Sequence, residues 1–99
     1  MPNPINTPHE PVAITYTAKG KRRLQTFTNP AAARAFYARA CRWKQYPQVK
    51  KLSGLVGQFV LLDDTTYVIR TTGIDQFVIE CCHEPKQRRC VNIEDVVLT

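Results

Sequence analysis

Ninety-nine residues with 43% hydrophobic content suit one small globular domain, or two very small subdomains sharing a core. No apolar run approaches the roughly 18 residues that span a bilayer, and Met1-Pro2-Asn3-Pro4 lacks the charged and apolar regions of a signal peptide, so a cytoplasmic, non-membrane protein is expected. The net charge of +6 is unevenly spread: residues 1–51 carry ten Lys and Arg against Glu10 alone, whereas residues 52–99 carry four against seven acids. One cationic half favours a polyanion, nucleic acid (DNA or RNA) foremost, although an acidic protein would be complemented equally well.

Residues 1–11 contain Pro2, Pro4, Pro8 and Pro11 and are expected to form an extended mobile tail, with His9 idle in it. Val12 to Thr17 alternates β-branched and aromatic residues as a half-buried strand does. Lys19-Gly20 is a reversal, after which Arg22 to Thr28 returns as a second strand. A two-residue turn sets Val12 opposite Phe27 and Tyr16 opposite Arg23, while a three-residue turn shifts the register by one. In either register Lys19, Lys21, Arg22 and Arg23 crowd the hairpin tip, where they can follow a phosphate backbone.

Asn29-Pro30 predicts a helix start, since Asn accepts from the free amides of the first turn and Pro needs no partner there. Ala31, Ala32 and Ala33 favour the helix, and Pro47 predicts its end near Tyr46. Steps of 100° put Ala33, Phe36, Ala40 and Trp43 on one face, with Tyr37 at its border. Arg34, Arg39 and Arg42 fall on the other side among Ala31, Ala35 and Ala38, as a phosphate-binding face or a merely solvated one. Phe27, Phe36 and Trp43 are expected in the core, leaving Tyr16 and Tyr46 as surface aromatics able to stack on unpaired bases. On this reading Trp43→Ala lowers stability by about 3 kcal/mol, whereas reversing Arg22 and Arg23 to Glu weakens polyanion binding and leaves stability nearly unchanged. Lys50 and Lys51, in the connector that follows, extend the basic patch.

The run from Ile14 to Phe27, followed by Asn29 to Tyr37 with Ala33 and Phe36, resembles the N-terminal arm-binding domains of phage-type tyrosine recombinases. That resemblance implies a short antiparallel sheet packed on one helix, with the sheet entering a DNA groove, and a setting in a phage, plasmid or other mobile element. It covers about a third of the chain and carries no expectation of recombination.

From Gln58 the chain changes character. Residues 59–62, 65–71, 76–82 and 87–93 read as four strands, separated by Asp63-Asp64, Thr72 to Asp75 and His83 to Lys86, all turn chemistry. Asn92 to Leu98 suggests a helical turn leading into a closing strand. This pattern resembles small Src-homology-type barrels, including KOW-like modules, whose architecture by itself selects no function. The expected class is α+β, with a tail (1–11), a basic hairpin–helix unit (12–52) and a barrel-like meander (53–99) packed as one compact domain, monomeric or homodimeric.

Cys81-Cys82-His83 and Cys90 lack the spacing of a zinc site. Strand parity makes Cys82 and Cys90 possible cross-strand neighbours, and so either a three-ligand site with His83, a disulfide, or idle thiols, the last being the common fate of intracellular cysteines. Cys82-His83 has no third orienting group, Asp63-Asp64 and Glu94-Asp95 suit turns and caps, and no glycine-rich phosphate loop exists among the four glycines. The expectation is a non-catalytic protein without cofactor. It binds nucleic acid with strong salt dependence and modest sequence preference or, alternatively, docks on a partner protein through its basic face as an adaptor or inhibitor.

Overall fold

A computed structural model describes residues 11–99, so residues 1–10 of the expected tail, His9 among them, lie outside the described residues. Eight strands and one helix follow in the order β1 (Val12–Ala18), β2 (Lys21–Phe27), α1 (Pro30–Arg42), β3 (Gln48–Lys51), β4 (Phe59–Leu62), β5 (Thr65–Thr71), β6 (Gln76–Cys81), β7 (Arg88–Asn92) and β8 (Val97–Leu98). Single 3₁₀ turns at Leu52–Leu55 and Ile93–Asp95 precede β4 and β8.

All strands join one antiparallel sheet in the order β3-β1-β2-β8-β4-β5-β6-β7. The α+β class stands. The sheet, however, runs from an edge at β3 to an edge at β7 rather than closing on itself. The two halves meet where Arg22 of β2 pairs with Leu98 of β8.

The first hairpin takes the two-residue register, Val12 opposite Phe27 and Tyr16 opposite Arg23. Its turn has φ of 53° at Lys19 and 75° at Gly20, the paired left-handed conformation that matches strand twist and that glycine adopts without a steric cost. Asp63 and Asp64 make the same kind of turn between β4 and β5, with φ of 50° and 65°. The β5–β6 ladder contains an irregularity between Ile69 and Thr71.

The two faces of β1 serve different layers. Ala13 points into the main core with Leu24, Leu55, Val60, Ile69, Phe77, Ile79 and Val96. Ile14 points the other way, under α1, with Ala33 and the half-buried Val12, Phe27, Phe36, Tyr37 and Val49. One face of the sheet thus lines the core of the second half, and the back of the first hairpin carries the helix. Phe77, Ile79 and Cys81 share the inner face of β6 as alternation requires.

Candidate nucleic-acid interface

The site is built by the way α1 begins and ends. Asn29 caps its start: the side chain accepts from the N–H groups of Ala31 at 2.9 Å and Ala32 at 3.4 Å. The helix stops at Arg42, not near Tyr46. The N–H of Lys44 bonds the carbonyl of Cys41 at 3.1 Å and that of Gln45 bonds the carbonyl of Ala40 at 2.9 Å, the two reverse bonds of a Schellman ending. The left-handed position of that motif, φ 56°, is taken by Lys44 where glycine is usual.

This early stop corrects the placement of Trp43. The helical wheel puts it on the face of Phe36 and Ala40, but it is the capping residue at the chain's reversal, and its side chain is 68% exposed. The seam between hairpin and helix is instead made by Tyr16, Phe27 and Phe36, with Phe36 edge-on to Tyr16 at 5.1 Å and tilted against Phe27 at 5.2 Å. Tyr16 is therefore half-buried in that seam and not a surface aromatic. Tyr46, at 72% exposure and φ 52°, lies at the surface as expected.

The loop carrying Trp43, Lys44 and Tyr46 is fastened beside the hairpin tip. The Gln45 carbonyl accepts from the N–H of Thr17 at 2.7 Å and from Nη1 of Arg22 at 3.2 Å. Arg22 also donates through Nη1 to Thr17 Oγ1 at 3.0 Å and through Nη2 to Thr15 Oγ1 at 2.9 Å. Partial burial lowers its pKa from the ordinary arginine value, because the charge loses hydration among neutral acceptors. Arg22 thus holds the loop to β1 from within, its guanidinium committed to protein acceptors.

The remaining cations divide by position. Lys19 and Lys21 are exposed at the tip and, with Ala18 and Arg23, line a shallow open pocket of about 390 Å³. Arg23 Nη1 donates to the Glu94 carbonyl at 3.0 Å, tying the hairpin to the 3₁₀ turn before β8. Arg34, Arg39 and Arg42 all lie on the exposed part of α1, and the Arg39 guanidinium sits 5.4 Å from the Phe36 ring centroid. Arg39 and Arg42 occupy the last turn, next to Trp43 and Lys44, whereas Arg34 lies eight residues, about 12 Å, before Arg42. Lys50 and Lys51 are paired with Ala13 and Val12, about 17 Å along β1 from Ala18. Being adjacent strand residues they point to opposite faces, so they border the site rather than join it.

The structure therefore brings together the tip lysines, the last turn of α1 and the Trp43–Tyr46 loop. Trp43 and Lys44 are the members that sequence reasoning left out of the site. Between residues 11 and 51 there are ten Lys and Arg and no Asp or Glu.

The cysteines build no comparable centre. Cys41, Cys81, Cys82 and Cys90 are free thiols, and no group of three metal-ligating side chains occurs among the described residues. Cys90 pairs with Val78 across the β6–β7 ladder, four positions from Cys82, and its Sγ donates to Gln76 Oε1 at 3.2 Å. The expectation that Cys82 and Cys90 are cross-strand neighbours is corrected by that register. No helix among the described residues is long and apolar enough to cross a membrane. The chain matches no protein-family model, no curated protein and no solved structure.

Proposed function

We propose that this chain is a small non-catalytic nucleic-acid-binding accessory protein that grips its ligand with the hairpin tip and the C-terminal end of α1. The observation that carries this reading is the fixed loop from Trp43 to Tyr46, which presents two exposed aromatic rings directly after the helix turn that bears Arg39 and Arg42, in a stretch free of acids. Lys19, Lys21, Arg39, Arg42 and Lys44 contact phosphates, Arg34, Lys50 and Lys51 extend the positive field, and Arg22 maintains the loop. A helix end with basic residues in its last turn is itself electrostatically favoured, which stabilises Arg39 and Arg42 there. The resemblance of the hairpin and helix to recombinase arm-binding domains supports a mobile-element setting, and that of the later strands to Src-homology-type barrels is compatible with an assembly role.

The competing reading is a protein-docking module. The acids of the second half, Asp63, Asp64, Asp75, Glu94 and Asp95, favour it, because they would complement the basic face of another copy or of a similar partner.

A salt titration against fluorescent mixed-sequence DNA and RNA separates the two. Log K is expected to fall linearly with log salt, by about 0.7 to 0.9 per phosphate contact, and Lys19→Glu with Lys21→Glu is expected to reduce that slope. No binding even at low salt overturns the nucleic-acid reading.

A further inference from the structure

The proposed function leaves the form of the ligand open, and the inference here rests on that reading. Backbone phosphates alone are served by cations on flexible side chains. Aromatic rings add nothing to such contacts unless bases are exposed to meet them, and in a duplex the base faces are already stacked on one another. Trp43 and Tyr46 are the two most exposed large hydrophobic side chains of the described residues, at 68% and 72%. Their loop is over-determined: the two reverse helix-end bonds, the Thr17–Gln45 backbone bond and the Arg22 clamp all fix the segment between them. Lys44 and Tyr46 are held at φ of 56° and 52°, a region unfavourable to non-glycine residues that persists only under such restraint. The rings are thus presented on a rigid support, with Arg39 and Arg42 preceding them along the chain and Lys44 between them.

We infer that this loop is a stacking platform for unpaired bases, so that the preferred ligand is single-stranded DNA or RNA. Its backbone runs over Arg39, Arg42 and Lys44, and two bases lie on Trp43 and Tyr46. Aromatic stacking is tolerant of base identity, which gives the modest sequence preference expected from a surface without a base-reading set of side chains. The cation-rich, acid-free stretch that carries the rings favours an anionic strand over an apolar peptide.

Trp43 is the sole tryptophan of the chain, so its intrinsic fluorescence reports the platform directly. The full chain is titrated with a mixed-sequence single strand, with the corresponding duplex, and with inorganic polyphosphate as a polyanion without bases. The single strand is expected to bind most tightly and to quench Trp43, with polyphosphate binding weakly and leaving the emission unquenched. Trp43→Ala is expected to lower single-strand affinity roughly 5- to 150-fold, the range for one stacked base, with duplex and polyphosphate affinity nearly unchanged. Trp43→Phe is expected to retain most of the affinity, and melting curves of both variants establish that they fold. Equal, salt-sensitive binding of single strand and duplex without quenching overturns this inference and leaves the proposed function standing. Absence of binding to any nucleic acid at low salt overturns both, and loss of a defined protein partner on Trp43→Ala in that case assigns the rings to protein docking.

Discussion

Arginines in the two halves of the sheet have opposite surroundings. In the second half Glu80 on β6 accepts from Arg70 on β5 at 2.7 Å and 2.9 Å and from Arg88 on β7 at 3.2 Å, so one carboxylate ties three neighbouring strands. In the first half residues 11–51 contain no carboxylate, and Arg22 is satisfied by hydroxyls and a carbonyl instead. The hydrophobic anchoring differs in the same sense. Phe77 is fully buried among the strands of the second half, whereas Trp43 in the first is left open to solvent. The second half uses a carboxylate to pair arginines within its sheet, and the first leaves most of its cations and two aromatic rings at the surface.

The sharpest break of that comparison is Phe77→Ala set against Trp43→Ala in denaturant unfolding. The first is expected to cost about 3–5 kcal/mol through a cavity that the surrounding strands fill poorly. The second is expected to stay within about 0.5 kcal/mol, as surface substitutions do. A large cost for Trp43→Ala would return that residue to the core, where the helical wheel had put it. Arg22→Met comes next. It keeps much of the aliphatic stem but removes the donor to Thr15 Oγ1 and Thr17 Oγ1 and one of two donors to the Gln45 carbonyl, and a loss of about 1–3 kcal/mol is expected. Nucleic-acid affinity should fall along with it, because the Trp43–Tyr46 loop loses its clamp. Weakened binding with unchanged stability would instead make Arg22 a direct ligand contact.

The smallest effect belongs to Glu80. Hydrogen bonds from Arg70 first, and then Arg88, hold its carboxyl below the ordinary glutamate value. A carboxylate with a depressed native pKa stabilises the fold above its unfolded pKa, and that contribution is lost as pH falls through the lowered native value. Glu80→Gln is therefore expected to lower the melting temperature slightly at about pH 7, with wild type and variant converging as the pH drops below the carboxylate range. Persistence of the difference in acid would mean that the side chain acts through packing.

What the residues determined locally, they determined well. The hairpin follows from Lys19-Gly20 and the alternation around it, although its two-residue register was one of two that the sequence allowed; the helix start follows from Asn29-Pro30, and β4 to β7 from period-two runs broken by turn residues. The separation of a cationic first half from a more acidic second half is a property of the sequence alone. Most of the candidate site's cations were legible for that reason, and so was the exposure of Tyr46, while that of Trp43 was not. A Schellman ending with lysine in the glycine position leaves no sequence signature, so Pro47 was the only visible stop and Trp43 stayed on the wheel. Nor could Arg22 be told from its neighbour Arg23, since its burial depends on the approach of Gln45 from 23 residues away. Whether the later strands close into a barrel was likewise decided by long-range pairing: β8 joins β2 to β4 and links both halves in one open sheet. Turn and cap chemistry acts between near neighbours and is written in their order, whereas burial depends on which distant segments come to cover a side chain, and that was settled only by the tertiary structure.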